Sequence, residues 1–153
     1  MKNILNKKEY IFKKVEERRD GFICKVDNYI LKLYKKKCHP HFELNTKLEE
    51  IDPTQKYFIW YQLITPSFVL MSPLKILKNP KQLTKKQYRH LQYGTHLLFR
   101  YNISHGNLPY NVMIDLNTNL PVIIDFDYGK LNASKQDLEI DRIAFLTHFS
   151  YAR

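Results

Sequence analysis

The sequence predicts an α+β fold in two lobes: a small antiparallel sheet with one helix, then an abbreviated, mostly helical lobe carrying a hairpin. Three observations lead there. Strand-like runs separated by turn signals fill much of residues 21–77, and helical periodicity governs residues 84–102 and 137–149. Between those helices lies ISHGNLPYNVMIDLNTNLPVIIDFD, a polar loop followed by two apolar runs. A chain of 153 residues suffices for one domain or two small lobes sharing an interface, and is too short for two full domains. We delimit one domain over residues 1–153, with a basic arm at 1–20, a first lobe at about 21–71 and a second at about 72–153.

Taking the chain in order, residues 5–20 mix charge with isolated apolar positions and fit a short helix or an irregular arm equally well. GFICKVDNYILKLYKKK reads as two strands around a turn at Asp27-Asn28, with Phe22, Cys24 and Val26 on one face and Ile30 and Leu33 as core candidates. In HFELNTKLEEI, Phe42, Leu44, Leu48 and Ile51 fall near helical spacing, and Pro53 ends a helix expected to cross the hairpin. KYFIWYQLI and SFVLMSPLKIL, parted by Thr65-Pro66, complete a sheet of about four strands. After a loop at Asn79-Pro80, Thr84 and Gln87 form a capping box heading a long helix with Tyr88, Leu91, Leu97 and Leu98 as its buried stripe. A hairpin over 112–127 turns at Asn117-Thr118-Asn119, and DLEIDRIAFLTHF closes the chain as a helix with Leu138, Ile143, Ala144, Leu146 and Phe149 on its apolar face.

Composition narrows the function classes. An apolar fraction of 44% with 14% aromatics argues for a folded protein. The formal charge of +10, from 25 Lys and Arg against 15 Asp and Glu, favours anionic partners or marks a solvated lysine-rich surface. Cys24 and Cys38 form no C-x-x-C pair and no disulfide framework, so free thiols in a reducing compartment are expected. No signal-peptide core follows MKNILNKKEY, and no segment approaches the roughly 18 apolar residues of a membrane span. The expectation is an intracellular protein, cytoplasmic or nuclear.

The hairpin carries the chemistry. A tight pair of strands brings the Asn111 carboxamide and the Asp125 carboxylate to one end, where two hard oxygens can hold a divalent metal; alternatively Asn111 caps a turn and Asp125 ends a strand. With the order of elements, I-S-H-G-N-L-P-Y-N-V-M-I-D…V-I-I-D-F-D resembles the catalytic centre of the protein-kinase-like superfamily, matching its H-G-D-x-x-x-x-N and D-F-G elements in type. The resemblance spans about Gly21 to Phe149 and is specific in the central stretch alone. It implies ATP and magnesium as cofactors, with Asn111 and Asp125 holding the metal on the phosphates. It also implies a phosphate-contacting strand lysine, which Lys32 fits between Leu31 and Leu33, and an ion-pair partner at Glu43 or else Glu50. FVLMSPL would wall an adenine pocket, with Met71 to Leu74 joining the lobes, or serve as plain core.

Departures from the family pattern shape the functional expectation. Aligned on His105-Gly106, the catalytic base position holds Asn107 and the loop is one residue short; aligned back from Pro109 and Asn111, it holds Gly106. Neither side chain is a base, and loss of a positioned base costs about 10² to 10⁴ in rate. Gly21 alone precedes the first strand of the predicted hairpin, so no glycine loop covers the phosphates. Only about ten residues part Asp125 from the last helix, too few for a peptide-docking segment, and Asp137 or Asp141 resembles the acid that braces the catalytic loop. These features imply a pseudokinase that binds ATP and magnesium, transfers phosphate weakly or not at all, and acts through a protein partner such as a kinase or its substrate. Two alternatives stand: an active divergent kinase of a protein or small molecule in which another carboxylate, such as Asp127, substitutes for the base, and a basic nucleic-acid-binding module using Lys7, Lys8, Lys13, Lys14 and Lys35 to Lys37, without a recognisable motif.

Overall fold

The structure is a computed structural model that describes residues 12–18, 21–26, 29–34, 42–60, 62–65, 68–71 and 74–152. It is α+β, and its described elements fall into two units. The Asp27-Asn28 turn, Lys7, Lys8, Lys35 to Lys37, Cys38 and the Ser72-Pro73 connector lie outside the described residues.

The first unit is an antiparallel sheet of β1 (Phe12–Arg18), β2 (Gly21–Val26), β3 (Tyr29–Tyr34), β4 (Gln62–Thr65) and β5 (Phe68–Met71), in the order β1-β2-β3-β5-β4. Five strands replace the four expected. The extra one, β1, lies within the stretch read as a helix or irregular arm and pairs with β2 from Phe12 opposite Val26 to Arg18 opposite Gly21. Charge on both faces of FKKVEER hid it; such charge suits an edge strand, where it blunts pairing with other chains. The β2–β3 hairpin forms as expected, and Lys32 sits mid-strand, opposite Ile23 on one side and Val69 on the other.

The second unit holds α1 (Phe42–Ile51), β6 (Leu74–Ile76), α2 (Lys85–Arg100), β7 (Val112–Asp115), β8 (Pro121–Ile123) and α3 (Lys135–His148), with β6-β7-β8 as a second antiparallel sheet. The boundary near residue 71 is therefore displaced for one element. Helix α1, expected to cross the first hairpin, groups with the second unit, and its Leu44 and Leu48 enter a core with Phe58, Trp60, Leu91, Leu98, Ile103, Ile123 and Phe126. Residues 57–60, read as strand, form irregular backbone instead. Asp52 accounts for this, because its buried carboxylate accepts the N–H groups of Lys56, Tyr57 and Phe58 at 3.0, 2.7 and 2.9 Å. The same segment covers β8, with Ile59 N–H donating to Ile123 and Ile123 N–H to Tyr57.

Helix α2 begins as the sequence dictates, with Thr84 and Gln87 exchanging both capping-box bonds. Its buried line is Leu91, Gly94, Thr95 and Leu98, with Tyr88 and Leu97 partly buried against the core. In α3 the apolar face differs from the expected one. Ile143 and Leu146 are about half exposed, at 50% and 55%, whereas Asp141 and Phe145 are buried. An acid occupies the core-facing position because loop amides there take up its carboxylate.

Candidate functional site

The site grows from the way the chain leaves α2. Ile103 N–H bonds back to Leu98, ending the helix, and Ser104 then exchanges two backbone bonds with Lys130 at 3.1 and 3.0 Å. This ties the loop after α2 to the segment after β8. Between those ties lie both halves of the motif.

His105 is fully buried. Its backbone N–H donates to Asp141 Oδ2, and the N–H of Gly106 donates to Asp141 Oδ1 at 3.1 Å. Asp141, not Asp137, thus braces the loop. Asp137 belongs to the capping box of α3 and pairs with Lys130 at 2.7 Å; Lys130 and Ser134 together hold its carboxyl down to about 2. The His105 ring has a determined tautomer, because Nε2 faces the Ile124 carbonyl at 2.8 Å and must donate, while Nδ1 accepts the Asn107 N–H at 3.2 Å. Burial pushes the imidazole below its ordinary pKa and keeps it neutral near pH 7. With Nε2 held by Ile124 after β8 and Nδ1 by Asn107 within the loop, the His105 ring is engaged at both nitrogens and is not free to act as a base.

Two glycines let the segments close. Gly106 has φ +78°, and a Cβ there would lie 2.8 Å from the Tyr128 carbonyl oxygen. At Gly129 a Cβ would lie 2.6 Å from Leu44 Cδ2 and about as near as a hydrogen bond to the Phe126 and Ser104 carbonyls, so α1 packs directly on the turn after Asp125. Phe126 seals the inner side, with its ring 4.6 Å from that of His105 and 6.0 Å from that of Phe58.

The hairpin places the predicted ligands as expected. Val112 pairs with Ile123, and Ile124 N–H donates to the Asn111 carbonyl at 2.9 Å, so Asn111 and Asp125 stand at the same end. Asn111 Nδ2 donates to the Asn107 carbonyl at 3.0 Å, which commits the amide nitrogen and leaves the oxygen as an acceptor. Asp125 adopts φ +58°, a left-handed conformation unusual for a residue with a side chain. Its Oδ1 is buried with no hydrogen-bond partner. A buried acceptor left in this state costs about 1–3 kcal/mol.

The other predicted residues are positioned without being joined to this pair. Lys32 lies in β3 of the first unit, its side chain outside the described atoms. Glu43 is exposed in the first turn of α1, and Glu50 is engaged by Lys47 at 2.8 Å. Asp127 is exposed. Asn107, which the sequence resemblance set at the base position, gives its N–H to His105 and accepts at its carbonyl from Asn111. Sequence reasoning missed Phe126 and Gly129 as site-forming residues; the signal was the glycine four positions after Asp125. No protein-family model matches the chain, and no curated protein is significantly similar to it.

Proposed function

We propose that the chain is a two-lobed kinase-like protein that binds ATP with magnesium, transfers phosphate weakly or not at all, and works through a protein partner. The observation that carries this reading is the buried, unpartnered Asp125 Oδ1, held in a left-handed turn at the hairpin end it shares with Asn111. Magnesium keeps most of its waters and takes one or two protein oxygens plus phosphates, so this sparse donor pair suits a metal that arrives on a nucleotide. Among the described residues no three His, Cys, Asp or Glu side chains cluster as a self-contained cage. When bound, the ion would neutralise phosphate charge. The chain's part is to orient it with Asn111 and Asp125 and to hold the loop with Asp141. Lys32 as a phosphate contact and Glu43 as its ion-pair partner rest on the sequence resemblance alone.

Weak transfer follows from the loop. The Asn107 amide is not basic near pH 7, and His105 is enclosed. Equilibrium binding of a fluorescent ATP analogue tests the assignment: it should require magnesium in the wild type and be lost in Asn111→Ala and Asp125→Asn. Absence of magnesium-dependent binding to the wild type sinks it. Transfer of γ-phosphate by the wild type, lost in Asp125→Asn, would favour the active-kinase alternative. A rate gained in Asn107→Asp would fix the register on His105-Gly106.

A further inference from the structure

The solvent side of α2 carries a second feature, independent of the nucleotide-site reading. Lys85, Lys86, Arg89, Tyr93, His96 and Arg100 are all exposed, and at 100° per residue they fall within about one 100° band of the helix. The helix contains no acidic residue over its sixteen positions, and its first turn holds two lysines where the helix dipole disfavours positive charge. A merely solvated face mixes signs. Helices α1 and α3 do so, with Lys47–Glu50 and Glu139–Arg142 pairs, whereas no cation of α2 enters an ion pair among the described residues.

Aromatic rings interrupt the cationic row at its middle. Tyr93 is 56% exposed, its ring lies 4.9 Å from that of Tyr57, and Tyr57 stacks on His90 at 4.6 Å under the Lys56 ammonium. From Lys86 to Arg100 the row runs about 21 Å, at 1.5 Å per residue. We infer that this face of α2 is a binding track for single-stranded nucleic acid, with Lys85, Lys86, Arg89 and Arg100 on phosphates and Tyr93 stacking on a base. The charge complements a polyanion, and an exposed ring with cations on either side matches the way unpaired bases are held. A duplex keeps its bases stacked on one another and gives Tyr93 nothing to cover. A membrane surface would call for exposed Leu, Ile or Phe on this face, which has none.

The test is fluorescence anisotropy of labelled 20-nucleotide oligo(U) and oligo(dT), titrated with the full chain at several salt concentrations. Each phosphate contact contributes about 0.7 to the slope of log affinity against log salt for single strands. Lys86→Gln with Arg89→Gln and Arg100→Gln should lower that slope by about 2 and weaken binding at least about tenfold at low salt. Tyr93→Ala should weaken it by about fivefold to hundredfold at unchanged slope. An equal loss of charge elsewhere, Lys75→Gln with Lys78→Gln and Lys135→Gln, should leave affinity within about twofold. Glutamine is nearly as good a helix former as Lys or Arg, so the α2 variants should keep their circular dichroism. Binding of either oligonucleotide in this pattern supports the track. Three results would each overturn it: equal losses from the two triple variants, tighter binding of a duplex of the same length, or equal affinity for polyglutamate.

Discussion

Asp141 is a buried carboxylate and Asp125 a half-buried one with a single buried oxygen, and the two are partnered in opposite ways. Asp141 accepts from the amides of His105 and Gly106, so each of its oxygens has a partner. Asp141→Ala should therefore cost about 1–3 kcal/mol in urea unfolding, since it strands the buried N–H of His105 and frees that of the more exposed Gly106, and Asp141→Asn should recover part of that. Asp125 Oδ1 accepts nothing. Asparagine tolerates the left-handed conformation, so without nucleotide Asp125→Asn should be as stable as the wild type or more so, by up to about 1–2 kcal/mol. A residue that holds function at the expense of stability gives this sign; a loss above about 1 kcal/mol would mark Asp125 as structural. His105 adds a pH dependence. Its folded pKa is depressed, so the unfolded chain binds the proton first, and stability present above the ordinary value of 6.5 is lost as pH falls below it toward the folded pKa. His90, lowered mainly by burial beside the Lys56 carbonyl, acts in the same direction. Urea unfolding at pH 7.5 and 5.5 should show lower stability at 5.5, with a smaller difference in His105→Gln.

At the scale of elements, legibility followed how local the deciding interaction is. The capping box of α2 is written in Thr84 and Gln87 and formed as read; Thr84→Ala should cost about 1 kcal/mol, measured by thermal or urea unfolding. The β7–β8 hairpin was equally legible, because its turn and its two apolar runs are contiguous. Strand β1 was not, since the alternation that signals a strand is masked when both faces carry charge. In α3 the periodicity located the helix and missed its orientation. Phe149 is buried as expected, but Ile143 and Leu146 are not, and the buried positions within the helix are Asp141 and Phe145, because the loop amides thirty-five residues upstream decide where the acid goes. For the same reason sequence left Asp137 and Asp141 undecided as the brace, and helix position alone distinguishes them once Ser134 claims Asp137 as its cap.

Among the described residues, the second unit carries a buried apolar cluster, the braced loop and the hairpin pair, and it includes α1, which the sequence assigned to the first. Periodicity located α1; what it packs on is tertiary, fixed by Leu44 against Gly129, and was not readable from a ten-residue helix. That Asn111 and Asp125 share one end of the hairpin was legible because the two runs and the turn between them are contiguous. Among the described residues no helix is long and apolar enough to cross a membrane. The central claim is a magnesium-dependent nucleotide site at that hairpin end, and thermal unfolding of the full chain with ATP, with and without magnesium, tests it most directly. Ligand at about 100 times its dissociation constant adds about 2.7 kcal/mol, or on the order of 5–10 °C at this chain length. We predict that shift for the wild type only when magnesium is present, and none for Asp125→Asn; an unshifted wild type, or an equal shift in both proteins, would contradict the account.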